Sequence, residues 1–179
     1  MTAPSDAPDA LPAVRLHVLD ADTLQALIDR DLALARAISG VPLPDAFLAD
    51  TWLWALRLGQ MLGEPREAPW LVRAIVALEG PGAGAVVGHA GFHGAPDDRA
   101  MVEIGYRIVP AFRRHGYAQA AVTELLAYAT THGARIARAS ISPDNARSLA
   151  IAARFGFERV GEQMDEIDGL ELVFERALT

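Results

Sequence analysis

Residues 101–133 read MVEIGYRIVPAFRRHGYAQAAVTELLAYATTHG. From Met101 to Val109 a period of two puts Val102, Ile104, Tyr106 and Ile108 on one face and Glu103, Gly105, Arg107 and Val109 on the other, which predicts a strand. Pro110 has no amide proton, so regular pairing is expected to end or splay there. Beyond Gly116 the apolar positions become Ala118, Ala121, Val122, Leu125, Leu126 and Ala129, the face of a helix. Gly133 stands where a helix C-cap glycine belongs. The link between strand and helix is Arg113-Arg114-His115-Gly116-Tyr117-Ala118. A helix N-terminus offers unpaired amides and the positive end of a dipole. A glycine there permits close approach, and two arginines add donors suited to phosphate. The order of strand, basic loop and helix suits a pyrophosphate cradle; a solvated loop that caps the helix is the plainer alternative.

Outward from this stretch, 179 residues with 51% hydrophobic content suit one domain with a proper core. The first twelve residues, rich in Ala, Pro and Asp, read as a flexible tail before a single domain over 13–179. Val14–Leu19 alternates as a strand. Asp20 or Asp22 caps a helix through Leu24, Leu27, Ile28, Leu32 and Leu34 or Ala35. A second helix from about Asp45 to Leu62 carries Phe47, Leu48, Trp52, Ala55 and Leu56 on its stripe, with Trp54 off it. Trp70–Glu79 reads as a strand buried on both faces, and Val86–His93 as its neighbour, where Gly88 and Gly91 mark close packing or a bulge. Ala134–Ser142 is a further strand, Asn145–Phe155 a helix ended by Gly156, and Phe157–Ala177 a hairpin about Asp168-Gly169.

No run is long enough to span a membrane and no signal pattern opens the chain, so neither a membrane nor export is implied. The absence of cysteine excludes disulfides, thiolate metal sites and a cysteine nucleophile, and fits a reducing, cytoplasmic setting. A net charge of −7 argues against nucleic acid as a partner and favours a cationic one. With no lysine a Walker loop is impossible, and the first strand-to-helix turn, Leu19–Thr23, lacks the glycines of a dinucleotide fold.

Arg113-x-x-Gly116-x-Ala118 after a strand ending near Pro110 resembles the acyl-CoA signature of the GCN5-related N-acetyltransferases, the GNAT family. Asn145-Ala146-Arg147-Ser148 and Phe155-Gly156-Phe157-Glu158 are similar to the family's next motif, and Glu103-Ile104-Gly105-Tyr106 resembles its branch of ribosomal-protein N-terminal and small-amine acetyltransferases. The resemblance covers about Val86 to Val160. It implies an α/β (α+β) domain with a mixed, mostly antiparallel central sheet of about seven strands, flanked by about four helices. It also implies acetyl transfer from acetyl-CoA, without a metal, to a primary amine by direct attack in a ternary complex. The acceptor would be a small-molecule amine or a peptide N-terminus, and the assembly a possible homodimer. A donor-binding sensor module without efficient turnover is the alternative.

Carried onto this sequence, the resemblance assigns the cradle to Arg113, Arg114, His115, Gly116, Tyr117 and Ala118. The backbone of Ile108 and Val109 would meet the pantetheine arm, Asn145 its amides, and Arg154 the nucleotide phosphate. Glu103 is the candidate general base, directly or through a water; an ion-paired strand glutamate is the other reading, and His89 and His93 are rivals. Many relatives carry a tyrosine seven residues after the matching asparagine. Here that position is Ala152, which rules out protonation of the thiolate by a tyrosine there and leaves Ser148 to hydrogen-bond the sulfur. Helix capping explains Asn145 and Ser148 equally well. Trp52 and Trp54 either wall the acceptor pocket or belong to the core. Glu162, Asp165, Glu166, Asp168 and Glu171 make the hairpin acidic, suited to a polyamine, an aminoglycoside-like amine or a protein N-terminus, or merely solvated.

Overall fold

The computed structural model describes residues 10–165 and 169–179. Its seven strands are β1 (Val14–Val18), β2 (Val72–Ala77), β3 (Val86–Phe92), β4 (Met101–Ile108), β5 (Ile136–Ile141), β6 (Glu158–Asp165) and β7 (Gly169–Ala177). They form one sheet in the order β1-β2-β3-β4-β5-β7-β6. Every neighbouring pair is antiparallel except β4 and β5. That exception makes the site. β4 and β5 pair only over Met101–Glu103 with Ile136–Arg138. Beyond Glu103, β4 follows β3 to the Gly88–Ile108 pair, while β5 follows β7 to the Ile141–Leu172 pair. Each strand is held by its antiparallel partner, so the twist of the sheet draws the two apart. The parting therefore begins seven residues before Pro110. The proline ends only the pairing with β3, whose last bond runs from Val109 N–H to the Val87 carbonyl.

The alternation of β4 sends Val102, Ile104 and Ile108 into a core with α4 (Tyr117–Thr131), which contributes Ala121, Val122, Leu125, Leu126 and Ala129. The other face of the sheet is covered by α1 (Ala21–Ile28), α2 (Leu32–Ser39), α3 (Thr51–Gly63) and the 3-10 turn Asp45–Ala49, through Leu24, Leu27, Ala35, Trp54 and Phe47. Burial on both faces explains the apolar run of β2. Gly88 and Gly91 are required by close approach: a Cβ would lie 2.1 Å from the Arg107 carbonyl oxygen at the first and 1.7 Å from that of Leu71 at the second. The fifth helix is α5 (Ala146–Arg154), with Gly156 just beyond it at φ 70°.

Two helix expectations change in detail. The first predicted helix is two. Asp20 caps α1 by accepting from Thr23 N–H, the chain turns at Arg30 (φ 63°), and Asp31 caps α2 by accepting from Leu34 N–H. The described residues therefore hold five α-helices rather than four. The second is a 3-10 turn, Asp45–Ala49, followed by α3. Asp50 between them has non-helical angles, so the apolar period counted from Phe47 is reset. Trp54, read as off the stripe, is fully buried and donates its indole N–H to the Phe47 carbonyl at 2.7 Å; Trp52 is 53% exposed. At the hairpin Asp165 pairs with Gly169 (φ 75°), so Gly169 lies within the ladder, while Glu166 and Asp168 fall outside the described residues. Of the expected tail, residues 1–9 also fall outside them; Leu11 packs against the core. No helix among the described residues is long and apolar enough to cross a membrane.

Candidate active site

The opening between β4 and β5 continues into a cleft of about 850 Å³, bounded by β4, the 112–119 segment and α5. Glu103 O and Val109 N both serve β3. Strand alternation therefore turns the backbone amides of Ile104, Tyr106 and Ile108 into the opening. Arg113 Nε donates to the Ile108 carbonyl at 3.1 Å and so ties the basic loop to this edge. Gly116 is the N-cap of α4 at φ 80°, with no side chain to satisfy the first amides of the helix, which face the cleft.

Of the residues singled out from the sequence, Ile108, Arg113, Arg114, Gly116, Tyr117, Ala118, Asn145, Ser148 and Arg154 all line the cleft. Val109 and His115 are not among its lining residues, and the Val109 amide is spent on β3. Tyr117 borders the cleft, yet its side chain is buried: the hydroxyl donates to the Glu79 carbonyl and accepts from Gly82 N–H, both at 2.8 Å. It thereby fastens the start of α4 to the β2–β3 turn. Asn145 caps α5, its Oδ1 accepting from Ser148 N–H at 3.1 Å, which leaves its Nδ2 protons for a ligand.

On the other face of β4 lies a polar row. His93 Nδ1 stands 3.6 Å from Glu103 Oε1. Arg57 and Gln60 of α3 both donate to the His93 carbonyl, at 3.2 and 2.8 Å. His93 lines two cavities that meet the opening, of about 260 and 150 Å³, whereas Glu103 stands behind it and lines neither. The His93 side chain is half exposed at the mouth of a recess, where partial loss of solvent pulls its pKa below the usual value, with Glu103 opposing that shift. It is therefore neutral at pH 7. His89 is held otherwise: its ring packs edge-on against Phe47 and Trp54, with Nε2 3.4 Å from Asp50 Oδ2. The same buried Asp50 accepts from Arg107 of β4.

A family model described as an acetyltransferase (GNAT) domain matches residues 13–158. The chain belongs to the GNAT acetyltransferase family, enzymes that depend on acyl-CoA. No curated protein matches the sequence significantly. Solved structures share the fold at low identity. The microcin C7 self-immunity acetyltransferase MccE, solved with acetyl-CoA and AMP, is 17% identical over 92% of each chain, with a TM-score of 0.62. A ribosomal-protein-S5-alanine acetyltransferase from Vibrio fischeri is also 17% identical over 92% of each, TM-score 0.61. A phosphinothricin acetyltransferase from Sinorhizobium meliloti, solved with acetyl-CoA, is 23% identical over 93% of this chain and 89% of its own, TM-score 0.56.

The cleft of this acetyltransferase fits acetyl-CoA by its chemistry. Arg113, Arg114, Arg147 and Arg154 converge on it in a chain of net charge −7 and could hold phosphates, while Arg107 lines it with its guanidinium held by Asp50. Ile108, Phe112 and Ile151 form an apolar wall that could take a pantetheine arm, and the unpaired β4 edge could partner its amides. Arg107, Arg147 and Tyr106 were given no part in the sequence reading. Arg147 lies in plain view inside the Asn145–Ser148 motif, two turns before Arg154 on α5. Arg107 falls on the opposite face of β4 from Tyr106 and Ile108, so alternation alone did not bring it to the donor side. Tyr106 had been counted among the apolar positions, where its hydroxyl went unused.

Proposed function

We propose that this protein is an N-acetyltransferase that carries the acetyl group of acetyl-CoA to a primary amine by direct attack in a ternary complex. The observation that carries this reading is the junction where β4 leaves β5: the arginine-lined cleft reaches it from one face and the His93 recess from the other. A donor seated along β4 presents its thioester at that junction, and an amine entering past His93 meets it there. Arg113, Arg114, Arg147, Arg154 and the first amides of α4 hold the phosphates; the edge amides of β4 and Asn145 hold the arm. An edge amide of β4 aimed at the thioester oxygen stabilises the charge that develops on it.

His93, neutral at pH 7, takes the amine proton directly or through a water, and Glu103 at 3.6 Å holds the ring and stabilises its charged form. Arg57, clasping the His93 carbonyl, fixes the loop that carries the ring. The acceptor class follows from charge. Glu171 lines the larger recess, and Asp165 of the hairpin acts electrostatically on His93. They make the entrance acidic, with Glu103 behind His93 adding to the field, which draws a protonated amine, whether a small polyamine-like molecule or a peptide N-terminus.

Calorimetric titration with acetyl-CoA, CoA and ATP, followed by an amine panel scored by release of free CoA thiol, tests this. Binding of both CoA species but not ATP, with turnover on a cationic amine, is the expected result. Binding of neither CoA species rejects the donor site; tight binding with no turnover on any amine rejects the transferase and leaves a sensor.

A further inference from the structure

The transfer has a second proton to place. Once the amide has formed, the departing sulfur carries negative charge, and the position from which a tyrosine commonly serves it is here Ala152, buried and without a proton to give. The structure brings a different tyrosine to the junction. Among the described residues Tyr106 alone lines the donor cleft and both cavities beside His93. Ser148, on the first turn of α5, lines the donor cleft and the larger cavity together with it and acts electrostatically on its hydroxyl. Strand alternation adds the decisive geometry. The Tyr106 side chain leaves β4 on the face opposite Glu103 and His93. The group that takes a proton from the amine and the Tyr106 side chain thus leave opposite faces of one sheet, as attack and departure at one carbonyl carbon require.

We propose that Tyr106 is the proton donor to the departing thiolate, positioned and assisted by Ser148. This rests on the acetyltransferase reading above. The amine nitrogen forms its bond to the acyl carbon, and the carbon–sulfur bond breaks with its electron pair going to sulfur. Tyr106 gives its hydroxyl proton to that sulfur, yielding the free thiol. Its oxygen regains a proton from water through the Ser148 hydroxyl, while the proton lost by the amine leaves through His93. A phenol, with an ordinary pKa near 10, gives up its proton far more readily than the hydroxyl of serine. Burial raises the Tyr106 pKa, which keeps the group protonated and ready at neutral pH, and Ser148 partly offsets that rise. The charged groups around it are Arg107, Arg113, Arg114, Arg147 and Arg154 in the cleft and Arg57, His93 and Glu171 across the junction.

The test uses CoA itself, so it does not wait on the natural acceptor. The thiol of bound CoA is titrated by ultraviolet absorbance of its thiolate in the wild-type chain and in Tyr106→Phe, with calorimetry to establish that both bind CoA alike. A hydroxyl that donates to the sulfur favours the thiolate, so its removal is expected to raise the thiol pKa by about one unit. Turnover with an amine from the panel is expected to fall about 10²-fold in kcat at an unchanged KM for acetyl-CoA. Ser148→Ala, which keeps the tyrosine, moves both readouts in the same direction by less, and stands in should the phenylalanine variant fail to fold. An identical thiol titration in both variants, or kcat within about threefold of wild type, overturns the proposal. Failure of the wild-type chain to bind CoA overturns the donor site and this inference together, whereas CoA binding with an unmoved titration overturns this inference alone.

Discussion

The two halves of the proposed active site are built in opposite ways. The donor half comes from two short continuous segments, 106–119 and 145–154, whose backbone does much of the work: an open helix N-terminus, an unpaired strand edge and a row of arginines. The acceptor half is assembled from side chains scattered along the chain. Arg57 and Gln60 reach His93 across 36 and 33 residues, and Asp165 comes from the hairpin beyond. A backbone site keeps its form when side chains change; a side-chain site depends on how α3 and the hairpin pack. The donor half can therefore be shared across a family while the acceptor half is respecified.

That contrast can be broken at several points. The largest effect is expected at Trp54, which fastens α3 over the acceptor half. Trp54→Ala empties a fully buried site and is expected to cost about 3–5 kcal/mol in denaturant unfolding, whereas the half-exposed Trp52→Ala stays within about 0.5 kcal/mol. Next comes His93→Ala: kcat is expected to drop about 10²–10³-fold while calorimetry finds CoA affinity unchanged, which separates the halves directly. The reciprocal variant, Arg113→Glu, places negative charge at the phosphates and releases the Ile108 carbonyl; CoA affinity should fall about 30-fold or more. A loss of CoA binding in the histidine variant, or full affinity in the arginine variant, would erase the division.

The smallest expected effect is a displaced pH profile. His93 titrates below its ordinary value, so the acid limb of kcat/KM should lie below about pH 6.5. Glu103 opposes that shift, so Glu103→Gln should move the limb to lower pH still. If Glu103 itself were the base, the same substitution would abolish the limb rather than displace it. The sign for stability follows from the same shift. The unfolded chain binds a proton at His93 that the folded chain resists, so this residue's contribution is present above about pH 6.5 and is lost as pH falls through that value toward the folded pKa.

The same division explains what was legible in the sequence. The period of two over Met101–Ile108, the basic loop and the helix after Gly116 are local patterns, and the structure places them as the sequence orders them. The parting of β4 from β5 is not local, because it depends on each strand having a better partner elsewhere; Pro110 marked only its far end. The break at Arg30 was invisible because a left-handed turn at an arginine carries none of the glycine signal that marks such turns. Trp52 and Trp54 exchanged roles because the turn at Asp50 resets the helical phase. Tyr106 was hidden by its own amphipathy: an alternation count sees the ring and not the hydroxyl.

The arginines of the cleft bear on how the enzyme meets its donor in solution. Five of the sixteen face one concavity, so the remaining surface is more acidic than the net charge of −7 conveys. A polyanion approaching from afar meets repulsion, and attraction takes over only within the mouth of the cleft. At physiological ionic strength the screening length is about 8 Å, shorter than the dimensions of the molecule, so the distant repulsion is largely extinguished while the cleft keeps its pull. The ionic atmosphere of the medium is thus expected to damp the distant repulsion more than the pull of the cleft, a balance that the salt dependence of the acetyl-CoA association rate would read.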